Sequence, residues 1–153
     1  AFFEIAGHDV DTHIEELGAT VGEELLRPTY IYVAEALEVL EKISEVGALV
    51  HITGDGFLNL TRVKAEVSFV IDDLPPPPAL FQMIQRITGS DAMEMHHVFN
   101  MGIGFCLVVR PEYESSALEI IRRHGKACQR IGRVTDDPTG RVKLTQAGIE
   151  MGR

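Results

Sequence analysis

Between residues 28 and 47 apolar side chains recur at helical spacing. Ile31, Ala34, Leu37, Leu40, Ile43 and Val46 fall three apart, which predicts one long amphipathic helix opened by Pro28 and Thr29 and closed by Gly47. Glu38 and Lys42 add an i,i+4 pair on its outer face. The period then changes. "ALVHI" (48–52) is too short for a helix and ends at glycine, so it reads as a buried strand feeding the loop Thr53–Gly56. "AEVSFVI" (65–71) alternates Val67, Phe69 and Ile71 with polar neighbours, the mark of a half-buried strand. Pro75 to Pro78 then stop any ladder and predict a stiff, extended surface connector. A short helix over 79–87, a second capped by Ser90 or Asp91 and running to about Val98, and a strand over "GIGFCLVV" (102–109) follow. "PEYESSALEIIRRHG" has Pro111 at the start, acids early, Arg122, Arg123 and His124 late and Gly125 after them, an order that suits the helix dipole. "CQRIGRV" and "RVKL" flank the turn-rich "TDDPTG" and predict a hairpin, and Gln146–Arg153 are expected to fray. At the other end, Phe2, Phe3, Ile5 and Ala6 run into Gly7 without a cap, like the last turns of a helix begun further upstream. The expectation is one layered α/β (α+β) domain over residues 1–153 with a mixed β-sheet packed by helices.

Composition narrows the class. A chain of 153 residues, 45% hydrophobic and 24% charged, has the make-up of a globular domain that buries roughly 70% of the surface of its unfolded chain. The net charge of −9 argues against a broad nucleic-acid surface, since displacing counterions from a polyanion needs clustered Lys and Arg. No apolar window approaches the ~20 residues of a membrane span. Cys106 and Cys128 are the only cysteines, each in an apolar, strand-like run. That pattern predicts no disulfide and suits a reduced, cytoplasmic setting.

Candidate chemistry concentrates in two glycine segments. Thr53-Gly54-Asp55-Gly56 has two residues free to take positive φ, so its N–H groups can converge on an anion. It lacks the Lys-Ser/Thr of a P-loop and is not a G-x-G-x-x-G fingerprint. Asp55 opposes an anion: a carboxylate roughly 4 Å from a phosphate oxygen costs on the order of 4 kcal/mol at an effective dielectric near 20. One charge-assisted N–H contact of roughly 1.5–3 kcal/mol does not offset that. Asp55 therefore points away, accepts from a sugar or amide donor, or helps hold Mg²⁺. Arg62 and Arg27 are candidates for a forked phosphate contact. "FNMGIG" (99–104) is a second small-residue entry into a strand, with Asn100 able to bond its own turn or a ligand. His96 and His97 diverge by about 100° on a helix and make a poor shared metal site. His51 reads as a core or cleft residue with a proton-transfer role as the alternative. Spacing assembles no nucleophile, base and orienter, so no catalytic residue is assigned.

Three segments, "LLRPTYIYV" (25–33), "HITGDGFLNLTRV" (51–63) and "FNMGIGFCLVV" (99–109), in this order and with these gaps, resemble the C-terminal domain of the aminoimidazole ribonucleotide synthetase (phosphoribosylformylglycinamidine cyclo-ligase) family. "IGRV" (131–134) falls where that family has its closing strand. The resemblance implies a purine-biosynthetic ligase that uses ATP and Mg²⁺ to close formylglycinamidine ribonucleotide to aminoimidazole ribonucleotide. It also implies an N-terminal domain, absent from this chain, that carries most ATP contacts and forms a homodimer, so the isolated chain is expected to be inactive. Carried over by motif, Thr53, Gly54, Gly56, Asn59 and Arg62, and Asn100, Gly102 and Gly104, are expected to line the substrate side of a cleft, with Asp55 beside them. The loop departs from the family's commoner Thr-Gly-Gly-Gly-Phe at Asp55. Two other readings stand beside this one: a stand-alone, non-catalytic relative that binds a nucleotide-like ligand or a protein partner, and a sibling ATP-dependent synthetase such as selenophosphate synthetase.

Overall fold

A computed structural model describes residues 1–152. It has the expected α+β character with a mixed sheet, built as layers on an antiparallel ribbon of β3 (Val46–His51) and β5 (Phe105–Val109). One face of the ribbon carries α2 (Val33–Lys42) and α5 (Glu114–Arg123), which close a core of Val39, Ile43, Ala117, Ile120 and Ile121. Glu38 ties the two helices by accepting from Arg123 at 2.8 Å and lying 2.7 Å from the His124 ring, and so takes those partners in place of Lys42. The other face carries Val50, Ile52 and Cys106, which meet Phe57 and Leu60 of a 3-10 segment (Gly56–Arg62) and a four-stranded sheet.

That sheet runs β6 (Gly132–Thr135), β4 (Ser68–Ile71), β7 (Val142–Leu144), β8 (Ile149–Met151). The expected hairpin of β6 and β7 does not form: β4 lies between them, antiparallel to β6 and parallel to β7. The turn-rich connection instead crosses over β4, anchored by the buried Ser68 hydroxyl, which donates to the Asp137 carbonyl at 2.9 Å and accepts from the Arg141 N–H at 3.0 Å. Nor do residues 146–152 fray. Gly148, at φ +65, turns it back so that β8 pairs with β7 and buries Ile149 and Met151; Arg153 lies outside the described residues.

The long helix is shorter than its apolar spacing predicts. Residues 28–32 lie outside any helix, Ile43 ends α2 in a β conformation, and Val46 and Gly47 belong to β3. The buried positions are Glu35, Val39 and Ile43, while Ile31, Leu37 and Leu40 face solvent. Nearer expectation are α3 (Ala79–Thr88), α4 (Ala92–Val98) with Asp91 capping it through Glu94 N–H at 2.8 Å, and α5, preceded by a 3-10 turn at Pro111–Tyr113. Cys128 lies outside any strand, and both cysteines are free. Residues 1–6 form turns, with Gly7 at φ +66 and Phe2 buried. Three elements are unanticipated: β1 (His13–Ile14), β2 (Ala19–Thr20) and α1 (Val21–Leu25). With Phe2 and Met83 of α3, Ile14 and Val21 form a third core. No described helix is long and apolar enough to cross a membrane.

Candidate functional site

His51 stands opposite Phe105 at the end of the ribbon, and the Ile52 N–H donates to the Gly104 carbonyl at 2.9 Å, one step further along. The segment 53–56 therefore leaves β3 at the same end at which 99–104 enters β5. Two motifs separated by about forty residues meet there, and the seam between them is glycine. A Cβ on Gly56, at φ +51, would overlap the carbonyl oxygen of His96 and stand 2.7 Å from that of Phe99. The loop is thus seated on the C-terminal end of α4, immediately before Asn100.

Asn59 fixes the loop from within. Completely buried, it accepts from the Thr53 N–H at 2.8 Å and hydroxyl at 3.1 Å and donates to the Gly54 carbonyl at 3.0 Å. Its amide is committed to the protein and shapes the loop. The Gly56 N–H is also used, donating to the Thr53 carbonyl at 3.1 Å. Facing solvent are Thr53, Gly54, Asp55 and Arg62. Asp55 adopts φ 72 and ψ 0, a left-handed conformation that aspartate tolerates better than most residues. Its Oδ2 accepts from Arg62 Nη2 at 2.9 Å, with both side chains about 60% exposed (60% for Arg62 and 61% for Asp55). The carboxylate thus meets a cation of its own chain.

The second segment is similarly built around close approaches. Asn100 Oδ1 accepts from the Gly102 N–H at 3.1 Å, and its carbonyl accepts from Ile103 at 2.9 Å, so Asn100 closes its own turn. Gly102, at φ +93, leaves room for the Pro78 ring, whose Cδ would lie 2.6 Å from a Cβ there. Gly104 leaves room for Tyr32: a Cβ would overlap its hydroxyl and stand 2.9 Å from Cζ. Tyr32 stacks on Phe105 (5.2 Å between centroids, 25°) and meets His51 edge-on at 5.9 Å. Burial raises the Tyr32 hydroxyl pKa above its usual value. Sequence reasoning missed this residue, although it lies inside a quoted motif; the tyrosine pair Tyr30 and Tyr32 in that motif was the available signal.

Other candidates lie apart or are chemically quiet. Arg27 pairs with Glu24 at 2.8 Å beside α1. His96 Nδ1 lies 2.8 Å from the Ala92 carbonyl within α4. Burial pushes the Cys106 thiol up to about 12, which suppresses thiolate chemistry. Among the described residues no group of three or more His, Cys, Asp or Glu is placed to hold a metal ion.

The class defined by this architecture is an α+β layered domain that presents two glycine segments, an arginine and an aromatic cluster at one end of an antiparallel ribbon. The chain belongs to the family described as AIR synthase related protein, C-terminal domain, whose model matches residues 1–145. Among curated relatives, it is 47% identical over 118 residues to a phosphoribosylformylglycinamidine cyclo-ligase of Methanothermobacter thermautotrophicus, covering 77% of this chain and 34% of the relative. It is 43% identical to the enzyme of the same name from Methanocaldococcus jannaschii (88% and 39% covered) and 38% to that from Methanobrevibacter smithii (94% and 42%). The chain thus spans between a third and somewhat over two fifths of the length of these relatives.

Proposed function

We propose that this chain is the substrate-facing C-terminal domain of a phosphoribosylformylglycinamidine cyclo-ligase, a cytoplasmic enzyme of purine biosynthesis. In this reading it works within a longer polypeptide, homodimeric when complete, that closes formylglycinamidine ribonucleotide to aminoimidazole ribonucleotide with ATP and Mg²⁺. The observation that carries the reading is the convergence of the two glycine segments at one ribbon end with Arg62 exposed beside them. Thr53, Gly54, Asp55 and Arg62 line the substrate side, with Arg62 supplying a forked donor to a phosphate. Asn59, Gly56, Asn100, Gly102 and Gly104 hold that surface in shape.

The donor set does not fit an ATP–Mg²⁺ site made by this chain alone. Two loop amides are consumed internally, and the exposed carboxylate is paired with Arg62. Nucleotide and metal contacts are therefore assigned to the N-terminal portion of the longer polypeptide, and the isolated chain is expected to be inactive.

The test is ring closure by the polypeptide extended upstream, supplied with ATP, Mg²⁺ and formylglycinamidine ribonucleotide. Product is expected, and Arg62→Ala should raise the KM for the ribonucleotide about tenfold, the equivalent of one charge-assisted hydrogen bond of ~1.5 kcal/mol. Absence of product from the folded, extended polypeptide overturns the reading.

A further inference from the structure

Helix α2 has two apolar faces, and the fold uses one of them. Val39 is buried against α5, with Glu35 one turn earlier on the same side. Val33, Leu37 and Leu40, at i, i+4 and i+7, are 61%, 60% and 49% exposed. At 3.6 residues per turn the centres of the two faces lie roughly 150° apart. The end of α1 and the non-helical approach to α2 add Leu25, Leu26, Tyr30 and Ile31, so seven of the fourteen exposed large hydrophobic side chains among the described residues fall between positions 25 and 40. A helix apolar on opposed faces belongs between two layers, and a patch this concentrated marks an interface.

What covers it follows from chain length and charge. The relatives covered to 34%, 39% and 42% of their length carry a large additional portion, while this chain is itself matched over 77–94% of its residues. Phe2 is buried with Ile14, Val21 and Met83, so residues joined to Ala1 enter the fold beside α1, whose last residue, Leu25, begins the patch. A second copy is a poorer occupant. Bringing together two chains that each carry a net charge of −9 is opposed by their like charge.

We infer that the outer face of α2, with the approach from Leu25 to Ile31, is the surface on which the N-terminal portion of the longer polypeptide docks through an apolar element of its own. The inference rests on the reading that the chain is the C-terminal part of a cyclo-ligase. Tyr32, which opens α2, touches Phe105 and His51, so docking here brings that portion alongside the glycine segments.

Hydroxyl-radical footprinting with mass spectrometry tests this, comparing the 153-residue chain with the polypeptide translated from the upstream start of the same reading frame. Labelling of Leu37 and Leu40 should fall several-fold in the longer protein while that of Val134, exposed on β6, stays constant. Unchanged labelling, a reading frame that starts near Ala1, or protection that grows with concentration of the 153-residue chain alone each overturns the inference. Ring closure assayed on the same longer protein separates the two ideas: product without protection removes the docking surface and leaves the function, whereas protection without product does the reverse.

Discussion

Gly56→Ala, compared with Gly54→Ala, tests whether the first glycine segment is held by the end of α4. At Gly56 the new methyl would sit against two backbone carbonyl oxygens, those of His96 and Phe99, and neither can rotate away as a side chain would. The left-handed conformation costs an L-residue about 1–2 kcal/mol, and displacing the 3-10 segment from α4 about 1–3 kcal/mol. The sum is about 2–5 kcal/mol. For a chain of this size each kcal/mol lowers Tm by about 2–4 °C, so melting should fall by roughly 5–20 °C. At Gly54 a Cβ meets nothing within 4 Å and φ lies outside the left-handed region, so the change should stay within about 0.5 kcal/mol. Thermal unfolding followed by circular dichroism measures both. A Gly56→Ala protein that melts like the parent, or a Gly54→Ala protein destabilised as much as Gly56→Ala, refutes the seating of the loop on α4.

Asn59→Ala strips the partners from Thr53 and Gly54, and since both residues are exposed enough for water to replace part of the loss, denaturant titration should show about 1–3 kcal/mol of destabilisation. Glu35 Oε1 is buried without a hydrogen-bond partner; Glu35→Leu should therefore raise stability by about 1–3 kcal/mol in the same titration. The Thr139 hydroxyl and N–H, at 2.7 and 3.0 Å, and then Lys143 hold the Asp137 carboxyl at about 2, below its ordinary 3.8. A depressed carboxylate stabilises the fold above its unfolded value and ceases to do so as pH falls through the folded one. The difference in denaturant midpoint between parent and Asp137→Asn should thus be full above about pH 4 and shrink toward pH 2, and a difference constant across that window would count against the bonding seen. Asp55→Gly releases Arg62 from an exposed pair worth about 0–1 kcal/mol, so calorimetry on the extended polypeptide should show the ribonucleotide bound up to about fivefold tighter.

Elements specified by local chemistry were legible in the sequence. Asp91 caps α4 as its side chain dictates, Gly125 at φ +72 follows α5, and α3 begins directly after the prolines. Pairings decided at long range were not. "TDDPTG" announces a change of direction, but only the burial of Ser68 under that connection shows that β4 occupies the space between β6 and β7. Ile149 and Met151 alternate as a strand should, yet three residues near an end carry too weak a period to outweigh the expectation of fraying. The Thr20–Glu23 capping box was readable from its spacing: the Glu23 N–H donates to Thr20 Oγ1 at 3.2 Å and the Thr20 N–H to Glu23 Oε2 at 2.8 Å. In α2 a spacing of three served equally for the inward and the outward face, and composition alone does not say which one its own domain buries.

At the candidate site, the sequence identifies where chemistry gathers but not how the glycines are used. A glycine loop suggests room for a ligand, whereas Gly56, Gly102 and Gly104 make room for α4, Pro78 and Tyr32. Their role is to let three distant segments close on one ribbon end. Asp55 follows the same logic. Set against a bare phosphate it would be repulsive, but beside Arg62 it forms a locally neutral, exposed pair, so an anion approaching this loop meets neither an isolated carboxylate nor an uncommitted guanidinium. Under the proposed function a phosphate bound there competes with Asp55 for Arg62, which engages Asp55 through Nη2 alone and keeps its other N–H donors. Because exposed pairs of this kind are worth little, on that reading the competition is inexpensive in free energy, and Asp55 weakens anion binding at the loop without abolishing it.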